Sequence, residues 1–250
     1  AAALTLRQCT LSGNHCPGGR GGAIYNTDAA LTLFHCTIAG NTSKSGGGGV
    51  RSDSGLFTVE NTIAADNTAN SLGDDISSGA PIVLKGASII PKLDASVSGT
   101  GTRISTAPLL APLGNYGGPT KTMALLPASP ARNAAVGSTA TSDQRAFPIL
   151  GIADIGAYEA QIGTLSDVAT LEDTATGNLA FSVGTVGTLS ATSGNTALVP
   201  GSSIILGGSG AARTVNMTPA LDRSGSAAIT LLDELSGETQ SFNLTVNAVN

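Results

Sequence analysis

The chain is poor in the residues that most active sites use. Its 250 residues include no tryptophan, two histidines, three cysteines, 3% aromatics and 12% charged side chains, against about 25% charge in an average soluble protein. Each scarcity excludes something. The aromatics of the first 161 residues (Tyr25, Phe34, Phe57, Tyr116, Phe147 and Tyr158) follow no repeat and so set up no row of sugar platforms. The cysteines, even with His15 and His35, match no zinc-ligand spacing. A net charge of −5 offers no basic stripe for nucleic acid. No run of 18 apolar residues exists, so no segment reads as a membrane span. Asp28, Asp53 and Asp66 stand singly at turns, without the converging carboxylates that a polysaccharide lyase or hydrolase needs.

What is abundant is glycine, at 33 residues, and a repeated phrase. Leu4-Thr5-Leu6-Arg7-Gln8-Cys9-Thr10-Leu11-Ser12-Gly13-Asn14 returns as Leu31-Thr32-Leu33-Phe34-His35-Cys36-Thr37-Ile38-Ala39-Gly40-Asn41, 27 residues later. A looser copy, Phe57-Thr58-Val59-Glu60-Asn61-Thr62-Ile63-Ala64-Ala65-Asp66-Asn67, follows after 26 more. The stretch Gly21-Gly22-Ala23-Ile24-Tyr25-Asn26 likewise matches Gly47-Gly48-Gly49-Val50-Arg51-Ser52. A period of that size, rich in β-branched residues, glycine and asparagine, predicts the stacked coils of a β-solenoid. Such a repeat buries a core only by stacking, so it specifies a scaffold before any chemistry.

Alternation within a coil places Leu4 and Leu6 on one inward parity and Cys9 and Leu11 on another, with a corner at Arg7-Gln8 and again at Phe34-His35. Thr5, Thr10, Thr32 and Thr37 then face outward, and His35 is expected at an exposed corner. Gly13-Asn14 and Gly40-Asn41 fall at the next corner, where positive φ is tolerated and stacked asparagines can satisfy one another. Cys9 and Cys36 are equivalent positions one coil apart, at a stacking distance of about 4.8 Å. They form either a ladder of thiols or a disulfide between coils, and the second fits an oxidising compartment. Asp74-Asp75, ahead of Ile76, is a thin candidate for Ca²⁺.

The segment after the repeats has another character. It contains Pro112-Leu113-Gly114-Asn115-Tyr116-Gly117-Gly118-Pro119-Thr120 and Ala124-Leu125-Leu126-Pro127-Ala128-Ser129-Pro130-Ala131, then Asp143-Gln144-Arg145, then Asp154-Ile155-Gly156-Ala157-Tyr158-Glu159. In this order the motifs resemble the conserved end of the bacterial choice-of-anchor Q family, and with the glycine-rich repeats the resemblance covers residues 1–160. Met123, Asn133 and Ala146 depart from that pattern, where the family often has histidine, aspartate and glycine. The resemblance implies a right-handed parallel β-helix on a large secreted or surface-anchored bacterial protein, without an assigned enzyme activity. We read residues 109–160 as a C-terminal cap, with Asp143 and Arg145 as a salt-bridged plug over the last coil.

Composition shifts near residue 161. Residues 1–161 balance ten basic against ten acidic side chains, whereas residues 162–250 hold two basic and seven acidic ones. Strand-like runs at 179–183, 188–192, 203–206, 213–218, 227–232 and 241–246, separated by glycine and proline turns, predict an antiparallel β-sandwich. With Glu172-Asp173-Thr174, Thr196-Ala197-Leu198-Val199-Pro200 and Arg213-Thr214-Val215, this half resembles bacterial Ig-like or cadherin-like repeats. That resemblance makes Asp167, Glu172 and Asp173 candidates for Ca²⁺, with no second repeat here to complete a site. No other cofactor is implied.

The expectation is therefore an all-β chain: a parallel β-helix over 1–161 and an Ig-like sandwich over 162–250. Ala1-Ala2-Ala3 leads straight into a strand pattern, with no signal peptide, as in a mature or trimmed secreted product. The first coil has no lid ahead of it, and an uncapped coil exposes unpaired N–H and C=O groups. Leu4, Leu6, Cys9 and Leu11 are thus the expected assembly surface, for an upstream segment or for another copy. The predicted function is a non-enzymatic structural or adhesive module, extracellular or on a cell surface, assembling head-to-tail with itself. The alternatives are a polysaccharide-active β-helix enzyme and a Ca²⁺- or carbohydrate-binding module.

Overall fold

A computed structural model describes residues 2–71, 73–184 and 186–249. The chain divides into two compact units, Ala1–Glu159 and Ala160–Asn250. Regular structure is almost entirely strand, with a single 3₁₀ turn at Gly201–Ser203 among the described residues.

The first unit is a parallel β-solenoid with three complete turns. Its first rung is β1 (Ala3–Arg7), β2 (Thr10–Ser12), β3 (His15–Cys16) and β4 (Ile24–Asn26). The second is β5 (Ala30–Phe34), β6 (Thr37–Ala39), β7 (Thr42–Ser43) and β8 (Val50–Ser52), and the third is β9 (Phe57–Glu60), β10 (Ile63–Ala65), β11 (Thr68–Ala69) and β12 (Ile76–Ser78). A shortened fourth rung follows as β13 (Ile82–Lys85), β14 (Ala87–Ile89) and β15 (Leu93–Asp94), and a fifth keeps only β16 (Val97–Gly99) and β17 (Thr102–Ile104). Every pairing between rungs is parallel, and the repeated phrase sits in register with itself: Leu4 on Leu31 on Phe57 on Ile82 on Val97, and Leu11 on Ile38 on Ala64. Leu31, Leu33, Ile38, Val50, Phe57, Val59, Ile76, Ile82 and Leu84 fill the interior. Full burial of a side chain of this size stabilises the fold by about 1.5–3 kcal/mol.

Corners recur with the same register because the same backbone torsion recurs. Gln8, His35, Asn61 and Gly86 have φ of 51°, 48°, 46° and 59°, and Gly13, Gly40 and Asp66 have 71°, 68° and 57°. The glycine runs have a steric cause. A Cβ on Gly48 would lie 2.4 Å from the carbonyl oxygen of Asp74 and 2.5 Å from the Thr68 backbone.

The segment 109–159 does not cap the end of the stack, and this corrects the expectation from sequence. It runs as a strap along the flank, over the outward faces of β2, β6 and β10. Thr10 Oγ1 meets Thr122 Oγ1 at 2.7 Å in the first rung. The Ala157 N–H donates to Thr37 Oγ1 at 3.0 Å in the second, and the Gly156 N–H to Asn61 O at 2.9 Å in the third. The Val136 N–H also reaches Asn61 Oδ1, at 3.2 Å. Thr37, Ile63 and Ile89, which occupy equivalent outward positions, are consequently buried. The Asp143–Arg145 pair lies within this strap and is no plug on the last coil. The far end is instead a polar taper, where Arg103 donates from Nε to Ile90 O at 2.7 Å and from Nη2 to Pro91 O at 2.6 Å.

The second unit holds two sheets. One has the order β18 (Val168–Leu171), β24 (Thr239–Asn247), β23 (Gly225–Asp233), β20 (Leu189–Ser193), and the other β19 (Leu179–Ser182), β22 (Ala212–Met217), β21 (Ile204–Ser209). All pairs are antiparallel except β18 with β24. In β24 every second residue, Gln240, Phe242, Leu244 and Val246, points inward. Phe181, Val215 and Met217 from one sheet join Ile229, Leu231, Phe242 and Leu244 from the other in one apolar cluster.

Candidate functional site

Among the described residues, β1 pairs only with β5, β2 with β6, β3 with β7 and β4 with β8. Leu4 is 45% exposed, whereas Leu31, directly above it in register, is 1% exposed. Leu6, Cys9 and Leu11 are half-buried against the core from one side. Four residues of the predicted assembly surface are thus brought onto one edge by the solenoid register.

Cys9, Cys16 and Cys36 are free thiols, so the disulfide that the Cys9–Cys36 register allows is not formed. The Cys9 thiol donates to Arg7 O at 2.9 Å, and that of Cys36 to Leu6 O at 3.4 Å. Burial pushes the Cys36 thiol up to about 11, which suppresses the thiolate that disulfide exchange requires.

The asparagine corner is a polar ladder, exposed at Asn14 and buried at Asn41 and Asn67. Asn14, Asn41 and Asn67 stack in consecutive rungs, and Asn67 donates its backbone N–H and Nδ2 to Asp75 Oδ1. Asp75 also receives the Lys92 N–H at 2.9 Å through its other oxygen. Burial raises its carboxyl above the ordinary value, against the opposing pull of these donors. Asp74 faces solvent, where Lys92 Nζ at 2.7 Å holds its carboxyl low. The two aspartates therefore work apart, and they form no Ca²⁺ site.

A second cluster lies under the strap. His35 is buried, which corrects its expected exposure, and its Nε2 sits 2.8 Å from Ser138 Oγ. Burial depresses its ring below the usual range. Beside it, Asp143 receives the N–H groups of Arg145, Phe147 and Glu159 at 2.8, 3.1 and 3.0 Å. The Arg145 guanidinium bonds to Asp143 Oδ2 at 2.7 Å and is stacked between the rings of Tyr158 and Phe147 at 3.7 and 4.4 Å. Glu159 accepts from the Leu150 and Asp154 N–H groups at 3.0 and 2.7 Å, yet burial, with Asp154 nearby, raises it to about 8. A histidine beside three carboxylates has the composition of an acid–base centre. Here the carboxylates are engaged by backbone donors, and the gap between His35, Asp143, Asp154 and Glu159 admits no water. The cluster ties the strap to the rungs.

The sequence reading missed a polar row in which Tyr25 is exposed, Arg51 and Asp94 are half-buried and Ser77 is fully buried. Tyr25, Arg51, Ser77 and Asp94 stack in register on the outward face of β4, β8, β12 and β15. Arg51 Nη1 donates to Ser77 Oγ at 2.7 Å, the Ser77 hydroxyl to Asp94 at 3.1 Å, and the Tyr25 hydroxyl to Asp53 at 2.7 Å. Only the register, which no composition argument supplies, assembles it.

The three Ca²⁺ candidates of the second unit are not brought together, and this is a correction. Asp167 accepts from the Asn243 N–H at 2.7 Å, Glu172 from the Val249 N–H at 2.8 Å, and Asp173 from the Asp222 N–H at 2.9 Å. Each carboxylate secures a different loop or edge. Among the described residues no three His, Cys, Asp or Glu side chains converge as metal ligands, and no helix is long and apolar enough to cross a membrane.

No protein-family model, curated protein or solved structure matches the chain.

Proposed function

We propose that this chain is a passive structural or adhesive module of a bacterial extracellular or cell-surface protein, extended through the open edge of its first rung. The observation that carries the proposal is the contrast between exposed Leu4 and buried Leu31 at one register position. Repeats of this kind bury their leucines only by stacking on a neighbouring rung. Stacking of copies, the far edge of one on the first rung of the next, is a heterologous contact that generates a fibre. A preceding rung of a longer polypeptide would lengthen the solenoid by the same contacts.

The resemblance of residues 1–160 to choice-of-anchor Q domains supports the surface location, and it carries the right-handed winding with it. For the second unit, the orders β24–β23–β20 and β19–β22–β21, with β18 parallel to β24, support the reading of an Ig-like domain. Electron microscopy of the purified chain tests self-assembly. Regular fibres abolished by Leu4→Lys are expected, and discrete particles alone would remove copy-on-copy stacking from the reading. A panel of acidic and neutral polysaccharides tests passivity, and any cleavage product lost in a Tyr25→Ala or Arg51→Ala variant would overturn it. The row of Tyr25, Arg51, Ser77 and Asp94 favours one second reading, a saccharide-binding face without cleavage.

A further inference from the structure

One residue on the inward side of β22 is unlike its neighbours. Arg213, Val215 and Met217 share a parity on that strand, and the latter two belong to the apolar core of the second unit. Register sets Phe181 of β19 on one side of Arg213 and Gly208 of β21 on the other. The guanidinium at this core position is poorly satisfied. Nη1 reaches Gly208 O only at 3.4 Å, and Nε is buried with no acceptor among the described residues.

Two hollows, of about 270 and 830 Å³, share Phe181, Gly208 and Arg213 in their walls. Leu189, Leu206 and Thr188 complete most of the smaller one, and no acidic residue lines either. Asp233, beside Gly187, is fully buried, and its oxygens accept from the Gly187 and Leu235 N–H groups and from the Ser236 hydroxyl. Arg213 therefore has no counter-charge within the unit. A half-buried cation in that state favours any anion that can enter and pair with it.

We propose that the smaller hollow binds a small carboxylate with an apolar body. The carboxylate would lie on the Nε–Nη2 edge of Arg213, and the body against Phe181, Leu189 and Leu206. That edge of a guanidinium matches the two oxygens of a planar carboxylate, and Nη1 is the nitrogen already turned to Gly208. The wall argues for the apolar body. Apart from Arg213, Thr188 supplies its only polar side chain, too little for the hydroxyls of a sugar acid. This site goes beyond the structural role proposed above and does not depend on it, because it lies wholly within the second unit.

The test is a titration of the full chain with benzoate, followed in proton–nitrogen correlation spectra. Benzoate should shift the amides of Gly187, Gly207 and Gly208 and the Nε–H of Arg213, saturably and in the millimolar range. Benzamide, which keeps the ring without the charge, should bind about tenfold more weakly, the worth of one charge-assisted hydrogen bond. Sulfate and glucuronate should not saturate in that range. Arg213→Met should weaken benzoate at least as much as the benzamide exchange does, and Arg213→Lys, which keeps the charge and loses the planar edge, should weaken it too. If the methionine variant fails to fold, the lysine variant and the benzamide comparison decide. No saturable shift with benzoate, equal binding of benzoate and benzamide, or undiminished binding in Arg213→Lys would overturn the proposal. Sulfate or glucuronate bound as tightly as benzoate would overturn the apolar body.

Discussion

Asn67 gives two hydrogen bonds, from its backbone N–H and from Nδ2, to a single oxygen of Asp75, each 3.1 Å long. The contact is buried, and it closes a ladder that begins two rungs earlier at Asn14. A single amide row thereby fixes the relative height of three rungs, since any slip would strand several buried polar groups at once.

Removing one member should expose that dependence. Asn41→Ala leaves Asn14, Leu11 O and Asn67 Oδ1 without a partner they now have. Asn67 Oδ1 keeps the backbone N–H of residue 41 and Asn14 is exposed to water, so the variant should lose about 1 kcal/mol, the worth of one net hydrogen bond. The urea midpoint of the first unit measures it, and an unchanged midpoint would show that water replaces the amide.

Arg145 should be as sensitive. Its guanidinium is fully buried, bonded to Asp143, Tyr116 O and Glu159 O, and stacked on Tyr158. Breaking a buried pair by removing one partner costs about 3–5 kcal/mol. Arg145→Ala should therefore release the strap, seen as faster amide exchange at Gly156 and Ala157 with the rung interior still protected.

Stability should fall with rising pH because of Glu159. Burial raises its carboxyl from 4.5 to about 8, so between those values the folded chain holds a proton that the unfolded chain has released. The stabilisation from this group is complete below pH 4.5 and is lost as pH rises through about 8. Asp75, also raised by burial, acts in the same direction from 3.8 upward. Chemical denaturation at a series of pH values should show the decline, and Glu159→Gln should flatten it above pH 5.

Cys36 should resist alkylation in the folded chain. Its thiol is buried and raised to about 11, so little thiolate exists at pH 8. Mass spectrometry after iodoacetamide should find the half-buried Cys16 modified first and Cys36 only after unfolding.

Two glycines separate torsion from space. Gly13 has φ of 71° and nothing near its Cβ position, whereas a Cβ on Gly48 would collide with the Asp74 and Thr68 backbones. Gly13→Ala should cost only left-handed strain, about 1–2 kcal/mol. Gly48→Ala must push two rungs apart and should cost more, which thermal unfolding of the pair compares directly.

The amino-acid sequence alone determined the solenoid. Leu4, Leu31 and Phe57 recur at the spacing of one turn, and corner residues such as Gly13 and Gly40 recur with them. Stacking identical phrases needs only local chemistry: alternation buries the leucines, and left-handed torsion turns the corner. Alternation likewise marked the strands of the second unit, although β18, four residues long and paired in parallel with the distant β24, escaped it.

What only the tertiary structure decided was where non-repeating chain lies. The segment 109–159 has only isolated bridges and no period, so its path along the flank depended on bonds to residues such as Asn61 and Thr37, more than 70 positions away in sequence. Those bonds bury His35 and raise Glu159. They also turn a motif that reads as a plug into a strap. The row of Tyr25, Arg51, Ser77 and Asp94, and the end of the asparagine ladder on Asp75, were hidden for the same reason: each joins unlike residues through rung register. Periodicity announces contacts between like positions, whereas contacts between unlike ones exist only once the chain has closed in space.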